Sequence, residues 1–493
     1  MFKRRLLAGM VWIFLAVFSS YALPEPDSQG WTPLFDGRSL KGWKAAENPA
    51  SFKVVNRQLF ADGPRSHLFF VGDGSAPDFK NFELTAEVMT KPGANSGIYF
   101  HTRYQEKGWP EQGFEVQINN SHEGSGDYRE FKKTGSLYGV RNQYKSLVGD
   151  NEWFTLGVKV LQKQVQITVN DVLVVDYLES EPPIHEGESA GRYLSRGTFA
   201  LQCHDEASKV YFRNLRVRPL PDRAESGAEG KPVVDEQYRQ ILNLNRDNFP
   251  LVDFHVHLKG GLTLEEALAL SQKNGINYGI APNCGLGFPI TNDAGIEDFL
   301  LSMKGQPVFL GMQAEGREWV NLFSKEAIAK FDYVFTDAMT FTDNRGKRMR
   351  LWIQEEVEIK DKQAFMDMYV DRIISVLSRE PIDIYVNPTF LPEVIVAEYD
   401  QLWTPERMGK VIEAARKNEV AIEINNRYRI PSPTFLKLAK QAGVKFSMGT
   451  NNSDSNLGRA EYALEMIREC GLTSRDMFMP KPGGQKPVER RKP

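Results

Sequence analysis

Leu251-Val-Asp-Phe-His255-Val-His257-Leu-Lys-Gly-Gly261 is an apolar run that carries two histidines one residue apart and ends in a glycine pair. Side chains alternate across a β-strand, so His255 and His257 project from one face and their imidazoles are placed to share a metal ion. The 493 residues hold only 7 histidines, and no other lies beyond residue 204. Any metal site here must recruit oxygen or amide ligands. Downstream, Thr263 and Glu266 have capping-box spacing at the start of a helical stretch. Further apolar strands are expected at 278–281, 308–313, 333–336, 382–386, 421–424 and 445–448, with helices between several of them. This rhythm predicts an α/β domain over 248–480, a TIM-barrel-like ring of parallel strands with outer helices. Functional groups in such a ring gather at the strand C-terminal ends.

The first half has another rhythm. Segments such as 82–88, 113–118, 155–160, 165–169 and 197–204 alternate polar with apolar residues and are separated by Gly- and Asn-containing turns, the pattern of an all-β antiparallel sandwich. A polar stretch from Pro219 to Lys231 marks the boundary, and a linker is placed at 220–247. Lys3, Arg4 and Arg5, an apolar segment from Leu6 to Phe18, and Ser20-Tyr-Ala22 have the layout of a signal peptide over 1–22. The expected localisation is therefore exported, periplasmic or extracellular, with no membrane span in the mature form. Three cysteines cannot build a disulfide framework. A net charge of -3 without a basic stripe argues against a nucleic-acid partner. The basic end, 481–493, is expected to be a disordered tail.

Glu115 and Gln117 flank Val116 on an expected strand, and Gln202 and His204 repeat the arrangement, so each pair projects from one side. Asn95 to Arg103 adds hydrogen-bonding groups on an adjacent strand. Such a face suits a sugar, whose hydroxyls need many paired donors and acceptors; an ordinary solvated sheet face is the alternative. The combination of Asp78-Phe-Lys-Asn-Phe82, Asn95-Ser96-Gly97-Ile, Glu115-Val-Gln117-Ile, Gly135-Ser-Leu-Tyr138, Leu201-Gln202-Cys-His204 and Phe212-Arg213-Asn214-Leu resembles the 3-keto-disaccharide hydrolase domain over 31–219. The resemblance implies a concanavalin-like jelly roll and a carbohydrate pocket on its concave sheet. It gives Glu115 and His204 as catalytic groups and Asn95, Gln117, Gln202 and Arg213 as substrate-binding ones. A 3-keto group acidifies the neighbouring C–H bonds, so one base and one enolate-stabilising donor or metal suffice to expel an aglycone.

Residues 248–480 resemble the polymerase and histidinol phosphatase (PHP) superfamily of metal-dependent phosphoesterases. The likeness runs through Asp253-Phe-His255-Val-His257, Ala281-Pro-Asn283-Cys284, Ala314-Glu315, Val386-Asn387-Pro388, Ile422-Glu423-Ile-Asn425-Asn426 and Gly449-Thr450-Asn451-Asn452-Ser453. It implies a cluster of up to three divalent metal ions. Here Cys284, Asn387, Asn451 and Ser453 stand where His or Asp ligands are expected, leaving His255, His257 and Glu315 as the typical ones. Three readings stay open for this domain: a one-metal hydrolase or lyase, a metal-free binding or structural domain, and an intact phosphoesterase. For the whole chain the leading reading is a carbohydrate-active hydrolase or lyase working through the jelly roll. The alternatives are a carbohydrate-binding module joined to a divergent metal-dependent hydrolase, and a non-catalytic scaffold.

Overall fold

In the strand Phe82–Thr90, burial alternates with polarity: Phe82, Leu84, Ala86 and Val88 are buried, while Glu83, Thr85 and Glu87 are half-buried. Such a strand has one face on a core and one toward water. It belongs to an eight-stranded antiparallel sheet that runs in the order Val172–Leu178, Gln164–Val169, Phe154–Leu161, Phe82–Thr90, Lys209–Pro219, Gln58–Asp62 and Phe52–Val55, with Thr32–Pro33 also paired to Lys209–Pro219. A five-stranded sheet packs against it in the order Trp43–Ala45, Ser66–Phe70, Thr198–Cys203, Ser96–Thr102 and Phe114–Ile118. Ile98, Phe100, Phe114 and Val116 share one apolar core with Phe82, Leu84 and Val88. The antiparallel jelly-roll sandwich is as expected. Less expected is that Ser96–Thr102, Phe114–Ile118 and Thr198–Cys203 are buried at every position, so their polar face is covered too.

The computed structural model describes residues 25–72, 77–184, 190–222, 232–342, 347–481 and 486–490, and the expected signal peptide lies outside them. Among the described residues no helix is long and apolar enough to cross a membrane. All three cysteines are free and buried.

Seven parallel strands form a closed ring: Val252–Val256, Asn277–Ile280, Phe309–Ala314, Tyr333–Thr336, Ile384–Tyr385, Ala421–Asn425 and Phe446–Gly449. Closure comes from Val252–Val256 pairing with Phe446–Gly449 on one side and Asn277–Ile280 on the other, while Asn277–Ile280 also pairs with Phe309–Ala314. The short strand Asn283–Cys284 adds to Phe309–Ala314. Helices surround the ring, and the first, Leu264–Asn274, starts at the Thr263/Glu266 capping box and ends at Gly275 with φ 72°. That box satisfies orphan N–H groups and is worth roughly 1 kcal/mol.

Two boundary expectations change. Within 220–247, Glu236–Arg246 is a helix capped by Asp235, and its apolar stripe of Tyr238, Ile241 and Leu242 is buried, so only part of that stretch has linker character. Part of the expected tail also docks: Pro487–Arg490 is helical, Val488 is buried, and Lys486 Nζ donates to the carbonyl of Asp332 at 2.9 Å. The sandwich meets the ring at its N-terminal end, where Lys145 pairs with Asp332 at 2.6 Å just ahead of the strand Tyr333–Thr336.

One buried histidine ties the sandwich to pH. His101 holds a left-handed φ of 56°, its Nδ1 accepts from the Ser195 N–H at 3.2 Å, and its Nε2 lies 2.9 Å from the Lys80 carbonyl. Both contacts suit only the neutral ring, and burial lowers its pKa to about 4. A folded value below the unfolded one of about 6.5 means stability is present above pH 6.5 and lost as pH falls toward 4. Relative to His101→Asn, which tolerates the same backbone, the wild-type chain is expected to lose up to about 3 kcal/mol across that window. Urea unfolding at several pH values reads the difference; parallel curves would remove His101 as the cause.

Candidate functional site

The covered polar face of the five-stranded sheet centres on Glu115. Antiparallel register sets Tyr99 opposite Glu115 and Gly97 opposite Gln117. The Tyr99 hydroxyl donates to one carboxylate oxygen at 2.7 Å, and Gln202 Nε2 donates to the other at 2.8 Å and reaches the Tyr99 oxygen at 3.2 Å. Gln117 Nε2 donates to Asn95 Oδ1 at 3.0 Å. Glu115 is 5% exposed and Gln117 and Gln202 1% each, which removes the solvated-face alternative. Burial raises the Glu115 pKa above the ordinary carboxylate range, opposed by Arg192, the bonds from Tyr99 and Gln202, and His204. Gly97 is there for space: a Cβ on it would stand 2.3 Å from Glu115 Oε1.

His204 sits at the rim, its Nδ1 2.8 Å from Asp205 Oδ2 and its ring 5.4 Å from Trp109 and 6.2 Å from His122. Nε2 is the ring atom left for a ligand. Trp109 is 42% exposed and its ring also lies 5.4 Å from that of His67, a fully buried histidine set edge-on to Tyr99. Sequence reasoning did not single out His67, Tyr99, Trp109, Lys132 or Arg192. Tyr99 was within reach, since it shares a strand face with Gly97; the rest come from loops and a neighbouring strand. One expected member is elsewhere. Arg213 lies on Lys209–Pro219 in the opposite sheet, where it pairs with Glu87 at 2.6 Å and covers the Trp153 ring at 3.9 Å. The structure therefore removes Arg213 from the pocket.

At the C-terminal ends of the ring strands a second buried polar layer forms. His255 Nδ1 lies 2.6 Å from Glu423 Oε1, and His257 Nδ1 2.6 Å from the Ala281 carbonyl. Both partners accept, so each Nδ1 carries the hydrogen and each Nε2 presents a lone pair. Both Nε2 atoms are buried without a partner, and the rings lie 5.0 Å apart. Gly449 makes room, because a Cβ there would stand 2.0 Å from Glu423 Oε1. Glu315 accepts from Asn283 at 2.7 Å, and burial together with nearby Asp337 pushes its pKa up. Around them the amides are linked: Asn425 and Asn451 donate to Asn387 Oδ1 at 3.0 and 3.1 Å, and Asn387 donates to Asp337 Oδ2 at 3.0 Å. Of the arginines nearby, Arg317 is engaged by Glu380 and Thr336, and Arg429 pairs with Glu465 on the surface.

Two bare imidazole nitrogens suit a cation, but the rest of the donor set does not fit a metal cluster. Among the described residues no group of three or more His, Cys, Asp and Glu side chains is arranged to hold a metal ion. Glu315 is thus not gathered with His255 and His257 into one ligand set.

Residues 30–218 match the profile of the 3-keto-alpha-glucoside-1,2-lyase-like domain. A 3-keto-disaccharide hydrolase of Bacteroides thetaiotaomicron is 32% identical over 92 residues, 17% of this chain and 31% of that protein, so the match spans under a third of the relative. A protein of Parabacteroides distasonis with a provisional glycosyl hydrolase assignment aligns over 41% of this chain and 99% of its own, at 20% identity and TM-score 0.34. A carbohydrate-binding module of Bacillus subtilis aligns over 36% of this chain and 96% of its own, at 15% identity and TM-score 0.27. By the profile match alone, residues 30–218 resemble a 3-keto-alpha-glucoside-1,2-lyase-like domain.

The amide network generates a measurable expectation. Dialysed against excess Mn(II) or Zn(II) and then desalted, the protein is expected to retain at most one divalent ion per chain by elemental analysis; two or more would mean that the Asn387 network opens to admit ligands.

Proposed function

We propose that this chain is an exported carbohydrate-active enzyme that cleaves 3-keto-glycosides in the sandwich domain. The observation that carries the reading is the Glu115 carboxylate, buried on the covered sheet face and held by Tyr99 and Gln202 beside the rim histidine His204. The profile match over 30–218 agrees with it. A buried carboxylate without its water shell is a stronger base than one in solvent, and the two bonds fix its direction.

The chemistry follows from the substrate. Glu115 takes the proton from the carbon next to the 3-keto group, and the electron pair moves onto the ketone oxygen. Return of that pair expels the aglycone from the anomeric carbon, and His204 protonates the departing oxygen. Asn95, Gln117 and Gln202 supply the hydrogen bonds that orient hydroxyls, and Trp109 offers an apolar plane for the sugar ring.

A second reading concerns the ring domain, and the two unpartnered Nε2 atoms of His255 and His257 favour it: they would hold a single divalent cation. Bound there, such an ion would act as a Lewis acid toward a ligand oxygen. The Nδ1 contacts to Glu423 and Ala281 would fix both rings for that task.

Turnover of a 3-keto-glucoside with a chromogenic aglycone tests the main reading. Glu115→Gln and His204→Ala are each expected to lower kcat by about 10²- to 10⁴-fold while leaving the circular dichroism spectrum unchanged. Because burial raises the Glu115 pKa, the base is protonated to higher pH than usual. The acid limb of kcat/KM is then expected to lie above about pH 4.3 and to vanish in Glu115→Gln. Full activity in both variants would show that the pocket is assigned wrongly.

A further inference from the structure

The segment that follows Ile118 forms one wall of the Glu115 cluster. Its backbone runs beside the strand Phe114–Ile118: the Tyr138 N–H donates to the Glu115 carbonyl at 2.9 Å and the Gly135 N–H to that of Gln117 at 3.0 Å. Its side chains pack against one another near the site. Lys132 is 1% exposed, lies 3.5 Å from Glu130 and sits 4.3 Å above the Tyr138 ring, while the Tyr128 hydroxyl donates to Glu130 at 2.7 Å. Tyr128, Lys132 and Tyr138 all feel the charge of Glu115, and His122 faces His204.

This wall is not secured by the sandwich alone. Asn248, ahead of the first ring strand, donates through Nδ2 to the Arg129 carbonyl at 2.6 Å and reaches the Tyr128 hydroxyl at 3.4 Å. At the far end, the Asn142 N–H donates to Asn245 Oδ1 at 3.0 Å and Asn142 Nδ2 to the Asn245 carbonyl at 2.8 Å. Asn277 Nδ2 returns a bond to the Asn142 carbonyl at 2.8 Å, and its Oδ1 accepts from the Tyr144 N–H at 3.1 Å. The Tyr144 hydroxyl donates to the Phe249 carbonyl at 2.8 Å. Asn142, Tyr144, Asn245, Asn248 and Asn277 are all buried, so these bonds work away from competing water.

We infer that the ring domain is a positioning element of the sugar site, its Asn245, Asn248 and Asn277 clamping both ends of the wall that carries Glu130, Lys132 and Tyr138. The inference rests on the reading of the Glu115 cluster as the sugar-cleaving site. Only the N-terminal end of the ring takes part, so the role is separate from whatever the His255 end binds. Asn248 also has the left-handed φ of 55° that asparagine tolerates, which lets a short side chain reach back to the wall.

The test uses the whole protein with Asn248→Asp and Tyr144→Phe combined. Aspartate keeps the shape and the backbone preference of asparagine but sets a carboxylate oxygen against the Arg129 carbonyl; phenylalanine removes the bond to Phe249 and the longer one, 3.4 Å, that the hydroxyl accepts from Asn142 Nδ2. Amide hydrogen exchange over 128–138 is expected to quicken about tenfold, while Phe82–Thr90 and Ala421–Asn425 keep their wild-type rates. On a 3-keto-glucoside, kcat is expected to fall about tenfold with KM little changed. Unchanged exchange over 128–138, an equal rise in both domains, or a faster wall with unchanged kcat would each overturn the inference. Should the wild-type chain leave the 3-keto-glucoside uncleaved, the sugar reading fails, while the exchange comparison still decides whether the ring holds the wall.

Discussion

A carboxylate taken out of water must be given donors, and in the sandwich that requirement shapes everything around Glu115. Tyr99 and Gln202 supply the donors, Gly97 leaves the room, and Arg192 and His204 bring opposing charge. The bonds do not cancel the cost of burial, since the proton is still held more tightly than in solvent. That residual cost is the property a base needs. It also explains why the polar face carries a lid: an open face would rehydrate the carboxylate and return it to ordinary basicity.

The ring domain meets the same requirement with a different outcome. Asp253 accepts the N–H groups of His255 and Thr450 at 3.0 Å each and the Thr450 hydroxyl, and Glu423 divides itself between His255, the Asn387 backbone N–H and the Asn425 side-chain amide. The buried acids there are largely spent on neighbours. The Asn387, Asn425 and Asn451 side chains are linked to one another, and amides satisfy one another where carboxylates would repel. The Nε2 atoms of His255 and His257 are among the buried polar atoms left without a partner.

Much of the fold was legible in the chain because period two and the strand–helix rhythm survive in it. The strands around Glu115 and Gln202 and the seven of the ring lie close to where alternation and apolar runs place them. Alternation also put Glu115 with Gln117 and Gln202 with His204 on shared faces. It could not say which sheet a strand joins, and Arg213 shows the cost: its motif reads like the others, yet its strand pairs into the opposite sheet with a register shift between Arg213 and Arg216. Contacts made by loops were illegible for a related reason. His122, Lys132 and Trp109 reach the cluster through turns whose path depends on tertiary packing. In the ring, Glu423 was visible as a polar residue near a strand end, but whether it would face a cation or hold His255 from behind depends on register between strands far apart in sequence.

The sandwich docks at the N-terminal end of the ring, whereas His255 and His257 look out from the opposite end. A strand of five residues is about 16 Å long, so the length of the closed ring stands between the two polar centres. The chain thus keeps its two buried polar centres a strand's length apart, and the charge of one is weakened before it reaches the other.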